Sequence, residues 1–430
     1  MDSVLTKALI KKFGFCCLII FSISQAFAEE NENLTEFGDA MQFILPLTAW
    51  GATFIYDDQP GRFQFYKSAL TSLTITTAGK GIVAKTRPDA SSSQTSFPSG
   101  HTTGAFLGAT FLNTRYGAKW GIPAYTLATI TAYSRVQADK HHVDDVIAGA
   151  SVSFFSNLFW VTPFDSNITV TPMVIGDTTG IAVTVTDGKP KKTRISSDSK
   201  PKYRYALGFG PAFMQKNEFT SPTATGTTFD LANFEGTTDP LTTAAPTFDW
   251  FVADRHTLSF TLSPFEARDF GTFSAPTFFA GQVFPANTEI RSAYRMTELD
   301  IGYHYGFHST ELFDFRVGAR LAYTRTVLEL ETTTGTPVYA KVDDRTWLPM
   351  VSAGMDIKLN HKWSILMDIA GISLSTDKQV DGSLLFSYQF NPYWDAAFGY
   401  SYYERDIETS ELTNHVQYDI LTLATGYSFH

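Results

Sequence analysis

Hydrophobic residues follow two different periods along this chain. In the first part they recur every three to four positions, which predicts helices over Phe43–Tyr56, Phe63–Ala84, Thr102–Arg115, Pro123–Ser134 and Asp144–Phe159. Pro88 to Pro98 is rich in Ser and predicts a loop, with Ser99 as a cap for the helix that follows. Ile168–Ile175 and Gly180–Thr186 predict a β-hairpin, and Lys189–Lys202 a basic linker.

Beyond Tyr203 the period becomes two. Phe313, Phe315, Val317, Ala319, Leu321 and Tyr323 alternate with Asp314, Arg316, Gly318, Arg320, Ala322 and Thr324. Similar alternation runs through Leu299–Phe307, Trp394–Tyr402 and Leu421–Phe429. One face is apolar and aromatic, while the other is small, polar or charged. That pattern predicts an antiparallel transmembrane β-barrel with lipid outside and polar groups inside. Closure removes the unpaired strand edges that hydrocarbon forbids. Short links such as Asn360-His361 and Asn391-Pro392 alternate with long Thr-rich ones, Asn217–Thr243 and Thr332–Asp343, and about ten strands fit. The lumen of such a barrel can be filled by side chains such as Arg316, Arg320 and Asp314.

Composition changes the picture in three ways. The first residues have the form of a secretory signal, with Lys7, Lys11 and Lys12, the apolar run Phe13–Ile23, and Ala26-Phe27-Ala28 as cleavage site. Both cysteines, Cys16 and Cys17, fall inside it, so the mature chain is expected to hold no disulfide. The net charge of −10 argues against nucleic acid as a partner. No later run is apolar enough for a spanning helix; Ile122–Tyr133 and Val146–Val161, broken by Thr, Ser and Asn, are expected to be buried core helices.

Three segments of the helical part then supply a phosphate-handling set. They are Lys80 to Arg87-Pro88, Pro98-Ser99-Gly100-His101, and Ser134-Arg135 followed by His141 and Asp145. His101, His141 and His142 are the only histidines before Asp249. Phosphoryl transfer is mostly positioning and charge stabilisation. Lys80, Arg87 and Arg135 could neutralise the phosphoryl oxygens without a metal, since the arginine fork matches phosphate bidentately. Ser99 and the Gly100 N–H could add donors at a helix start. His141, four residues before Asp145 and so on the same helical face, is expected to be the nucleophile with Asp145 as its orienting carboxylate. His101, with no such partner at helical spacing, is expected to be the general acid and then the base for water. His142 and Asp144 adjoin this pair and leave a register shifted by one residue open; the spacing favours His141 and Asp145.

The pattern K-x6-R-P, P-S-G-H, S-R-x5-H-x3-D resembles the signature of the type-2 phosphatidic acid phosphatase superfamily, which includes bacterial acid phosphatases and vanadium haloperoxidases. The resemblance covers roughly Phe37 to Pro163 and implies the same roles for Lys80, Arg87, Ser99, Gly100, His101, Arg135, His141 and Asp145. Ala138-Asp139-Lys140 departs from it by placing charges where small residues are common. The expected protein is multidomain α + β: a signal peptide over 1–28, an N-terminal all-α phosphatase bundle over 29–166, a hairpin and linker over 167–202, and a C-terminal outer-membrane β-barrel over 203–430. Its expected activity is hydrolysis of phosphate monoesters or pyrophosphates, of lipids or small esters, through a phosphohistidine. No cofactor and no metal are called for, the barrel's partner is outer-membrane lipid, and an even strand count puts the catalytic part in the periplasm. The alternatives are vanadate-dependent halide oxidation on the same scaffold, or a non-enzymatic porin-like protein with a relic domain. The sequence does not identify the phosphate substrate.

Overall fold

A computed structural model describes residues 32–89, 93–164, 168–175, 178–185, 201–221, 227–234, 241–374, 376–410 and 412–429. The expected signal peptide and most of the expected linker lie outside the described residues. The chain divides into two units, Met1–Arg194 and Ile195–His430.

Among its described residues the first unit holds five helices, α1 (Glu32–Ile55), α2 (Gln59–Val83), α3 (Gly100–Tyr116), α4 (Ala118–Gln137) and α5 (Val143–Trp160), then the hairpin β1 (Ile168–Ile175) and β2 (Thr178–Val185). All five predicted helices form, but α1 begins eleven positions before Phe43 and α4 five before Pro123. Polar residues and Gly38 hide the start of α1, and Pro46 sits within it. A proline inside a helix frees the carbonyl four residues earlier, here Gln42. Helix α3 abuts this stretch of α1: a Cβ on Gly104 would lie 2.7 Å from the Gln42 carbonyl oxygen, and one on Gly108 2.5 Å from the Pro46 nitrogen. Only glycine lets two backbones approach so closely.

Helix α3 is the centre of this unit. Ala105, Ala109, Phe111 and Leu112 are buried, together with Leu45 of α1, Phe65 of α2, Ala128 of α4 and Val146 of α5. At the end of the bundle away from the Pro98–Gly100 turn, Asp58 takes Arg115 Nε at 2.7 Å, the Tyr116 hydroxyl at 3.0 Å and the Gly61 N–H at 2.9 Å. No helix among the described residues is long and apolar enough to cross a membrane.

In the second unit, eleven strands form one antiparallel sheet that closes on itself. Ten are long: β3 (Tyr203–Thr220), β5 (Leu241–Ala253), β6 (His256–Thr272), β9 (Glu289–Ser309), β10 (Phe313–Thr332), β11 (Tyr339–Lys358), β12 (Trp363–Ser373), β13 (Asp377–Gln389), β14 (Trp394–Glu408) and β15 (Thr413–Phe429). The eleventh, β4 (Thr228–Asp230), is a short addition beside the end of β3, and β7 (Thr277–Phe279) and β8 (Gln282–Phe284) make a separate hairpin. Pairing of β15 with β3, Phe429 opposite Tyr203, completes the barrel. The ten-stranded closed barrel is the expected one. The long outer loops are shorter than expected, because the strands run on: β10 and β11 leave only 333–338 between them, and 221–240 contains β4 and a short 3-10 turn, Leu231–Asn233.

The alternation also reverses partway along the strands. On β10, Val317 and Leu321 point outward and are exposed, while Arg316 and Arg320 point inward. Beyond Thr326 the inner side carries Leu328 and Leu330, both fully buried, and the outer side carries Glu329 and Glu331. Strand β9 does the same in the opposite chain direction, with Leu299, Ile301 and Tyr303 outward in one zone and Tyr294 and Met296 inward in the other. The barrel therefore has two zones. Near the short turns, an apolar aromatic belt surrounds a charged lumen, where Arg316 meets Asp356 at 2.8 Å and Asp368 at 2.7 Å, and Arg320 meets Asp381 at 2.7 Å. Asp314 pairs instead with Lys358, at 2.6 Å. Toward the other rim, a charged exterior surrounds an apolar core that includes Phe219, Phe265, Phe279, Phe284 and Leu330. The first zone has the pattern of a membrane-spanning belt, apolar outside and polar inside, and the second buries its apolar side in the barrel's own interior.

Candidate active site

The antiparallel run of helices brings the start of α1, the end of α2, the start of α3, the end of α4 and the start of α5 to one end of the bundle. Gly100 opens α3, and Ser99 caps it, accepting from the Thr102 N–H at 3.4 Å. Ser99 also donates its own N–H to the Asp145 carbonyl at 2.9 Å, which fixes α3 against α5. A Cβ on Gly100 would lie 3.9 Å from Lys80 Cε, so the lysine stem lies beside this turn. Lys80 donates to the Thr95 carbonyl at 2.5 Å, and Arg87 to the Thr95 hydroxyl at 3.5 Å. Among the described residues the Arg87 Nε–H is buried with no hydrogen-bond partner.

Arg135 is at the end of α4. Asp139, in the left-handed region at φ 50°, turns the chain so that the N–H groups of Lys140 and His141 donate to the Arg135 carbonyl at 3.0 and 3.2 Å. Cation and histidine are thereby fixed to each other. The charge of Lys140 is taken by Asp89 at 3.0 Å.

The expected helical pairing of His141 with Asp145 needs correction. Helix α5 starts at Val143 with His142 as its cap, so His141 lies in the turn before the helix and shares no helical face with Asp145. The two still face each other, His141 Nδ1 lying 3.6 Å from Asp145 Oδ2. That is long for a hydrogen bond, as orienting contacts in unliganded sites often are. The same oxygen accepts from Ser96 Oγ at 2.5 Å and from the His142 N–H at 2.8 Å, with His142 Nδ1 at 3.2 Å. His142 is thus occupied in capping α5, whereas the His141 ring feels the charges of Lys80 and Arg87.

Three important residues were not singled out from the sequence. Lys85 is almost wholly buried, its Nζ 2.8 Å from Asp144 and 3.1 Å from Asp145. Its place inside the first motif was the available signal. His142, Asp144 and Asp145 have the donor atoms for a cation, but the Lys85 ammonium already lies against both carboxylates. Ser96, one residue before the second motif, joins Asp145 as above. Asp39 of α1 supplies the partner His101 was expected to lack: its Oδ1 lies 3.0 Å from His101 Nε2 and 2.6 Å from Arg135 Nη1. Arg135 reaches across because Gly38 leaves room; a Cβ there would lie 2.6 Å from the guanidinium.

These surroundings set the protonation states. Burial would raise the Asp145 carboxyl, but the Lys85 ammonium and the two imidazoles outweigh it and hold the group well below the usual carboxylate range. Burial lowers His141, against the opposing pull of Asp145, which favours the neutral ring a nucleophile needs. Burial and then the Arg135 charge lower His101 to about 4, with Asp39 opposing. Burial and the neighbouring Arg87 lower Lys80 to about 8. Two imidazoles, three cations, a buried carboxylate and a helix start thus share one small region.

Residues 63–167 match the PAP2 superfamily model. A lipid A 1-phosphatase of Porphyromonas gingivalis is 30% identical over 122 residues, covering 26% of this chain and 27% of that protein. A lipid A 4′-phosphatase of Helicobacter pylori is 28% identical over 191 residues, covering 41% of this chain and 83% of that protein. The chain thus spans about a quarter of the first relative's length and most of the second's. Among solved structures, the outer membrane protease OmpT of Escherichia coli aligns at a TM-score of 0.33 and 8% identity, covering 53% of this chain and 96% of OmpT. Residues 63–167, which hold the Lys80–Arg87, Ser99–His101 and Arg135–Asp145 segments, form a PAP2 superfamily domain, joined in one chain to a closed ten-stranded β-barrel.

Proposed function

We propose that the helical unit is a metal-independent lipid phosphatase working through a phosphohistidine, and that the barrel holds it at the periplasmic face of an outer membrane. The observation that carries this is the meeting of His101 and His141 with Lys80, Arg87 and Arg135 at one end of the bundle. His141 Nδ1 faces Asp145, which leaves Nε2 to attack phosphorus. As the N–P bond forms, the P–O bond to the alcohol or phosphate leaving group breaks, and His101 protonates the departing oxygen. Water, deprotonated by His101, then attacks phosphorus; the N–P bond breaks and inorganic phosphate leaves. The cations and the Gly100 N–H bear the charge that spreads over the equatorial oxygens. The Arg87 Nε–H, buried without a partner among the described residues, is a donor available to one of them.

Lipid as the substrate class is supported by the two lipid A phosphatases among the relatives. Placement in an outer membrane is supported by the aromatic belt of the barrel and by closure, which satisfies the backbone in hydrocarbon. Tyr203 and Phe429 lie together at the short-turn rim, the periplasmic side in such barrels.

Rapid-quench turnover of a radiolabelled phosphate ester by the full chain tests the chemistry. Label should be trapped on His141 as an acid-labile, alkali-stable adduct, and His141→Ala should release no phosphate above background. A His141→Ala enzyme with wild-type activity would refute the assignment. A panel of lipid A, phosphatidic acid, polyprenyl pyrophosphate and soluble esters then identifies the substrate.

A further inference from the structure

Helices α1 and α2 carry apolar side chains on both sides. Their inner faces pack through Leu45, Ala49 and Phe65. Their outer faces expose Phe43 (63%), Leu47 (60%), Leu70 (67%) and Leu73 (64%). A helix with one side in water normally carries charges there. Here no charged residue occurs from Ala40 to Tyr56, nor from Ser68 to Gly79. An exposed apolar surface of this extent marks a contact with something else.

Three features identify the occupant. First, the face runs toward the cation site: Leu73, Thr74, Thr77 and Ala78 line a shallow, open groove on α2, and Lys80 follows two positions later on the same helix. Apolar surface leading into a cluster of positive side chains fits an anionic amphiphile. Second, Trp50 and Tyr66 join the two helices through Trp50 Nε1 and the Tyr66 hydroxyl at 3.0 Å, and such rings favour the level of lipid headgroups. Third, Arg62 lies over the Phe54 ring at 3.6 Å and Lys67 over the Trp160 ring at 5.0 Å, so cations are held against aromatic surface near the other end. Neither helix is apolar enough to cross a bilayer, which leaves the mode in which a face lies in the interface.

We propose that the outer face of the α1–α2 pair docks in the headgroup region of an anionic phospholipid leaflet, so that the phosphate-binding end of the bundle opens at the level of the lipid phosphates. This rests on the proposal that the chain is a membrane-bound lipid phosphatase, and it adds the surface by which the helical unit meets its substrate.

The test uses the full chain with Cys16 and Cys17 replaced by Ser, reconstituted in phosphatidylethanolamine–phosphatidylglycerol vesicles. A nitrobenzoxadiazole label is placed on Phe43→Cys, Leu70→Cys or, as a control at a half-exposed charged residue in the turn between α4 and α5, Lys140→Cys. Labels at 43 and 70 should emit to the blue and be quenched several-fold more strongly by doxyl-labelled lipids than the label at 140. Emission characteristic of water at 43 and 70 would overturn the proposal. So would a blue shift without lipid quenching, since protein rather than lipid would then cover the face. Phosphate release from a soluble ester, measured on the same vesicles, reports separately on the catalytic proposal.

Discussion

Lys85→Met is the substitution whose effect the structure specifies most fully. The Lys85 ammonium lies 2.8 and 2.9 Å from the two oxygens of Asp144 and 3.1 Å from Asp145. Its side chain is 4% exposed, and those of the two acids 2% and 0%. Methionine fits the volume but leaves two buried carboxylates without their countercharge. Removing one member of a buried ion pair costs about 3–5 kcal/mol. For a helical unit of this size, with each kcal/mol shifting the melt by roughly 3–5 °C, the helical transition should fall by about 10–20 °C. The full chain can be used, because the helical far-ultraviolet dichroism comes from the first unit while the barrel contributes strand signal. Lys85→Arg keeps the charge and should lose less than half as much. Turnover should fall as well, by roughly a hundredfold or more below the melting range, since an Asp145 no longer held ionised cannot orient His141. If Lys85→Met melts within about 2 °C of the wild type, another group neutralises the acids and the structural role given to Lys85 is wrong.

Other consequences are as direct. His101 must carry a proton to act as acid, and its free-enzyme value is depressed to about 4; kcat/KM for a soluble ester should therefore rise as pH is lowered through the acid range. Asp39→Asn removes a carboxylate that raises His101, so the same profile should move to still lower pH, and an unmoved profile would show that Asp39 does not act on His101. Vanadate should inhibit by taking the trigonal-bipyramidal geometry of the transferring phosphoryl group, while chelators should leave the rate unchanged; an enzyme that chelators silence would contradict the metal-free scheme. In the barrel, Val317→Arg places a charge in the apolar belt and should cost about 2–4 kcal/mol of membrane stability. Val317→Leu keeps the belt apolar and should cost little, and urea unfolding in vesicles would compare the two.

The architecture was legible because it is written in periodicity, and the candidate site because it is written in motifs. What escaped the sequence depends on contacts between distant segments. Asp39 precedes His101 by two helices and follows a polar stretch that resembles a linker, so nothing local ties the two together. Lys85 is typical of a surface lysine until the fold buries it against two acids. The four-position spacing of His141 and Asp145 suggests a shared helical face, yet Asp145 itself accepts from the His142 N–H and so sets the helix start at Val143, two positions after His141. The reversal along β9 and β10 was legible residue by residue, but only closure shows that inside and outside exchange chemistry where the lipid belt ends.

The joining of β15 to β3 governs how the second unit can come into being. Tyr203 and Phe429 stand at opposite extremes of the barrel sequence yet are neighbours in the finished wall. Until that seam forms, two rows of amides stay open, and hydrocarbon offers them no water. The wall is therefore stable in the bilayer only once the seam has closed, and until then its two open edges need another partner. The helical unit has no such seam, since each helix closes its backbone hydrogen bonds within its own segment. One polypeptide thus combines a part able to mature early in water with a part that can mature only at its destination.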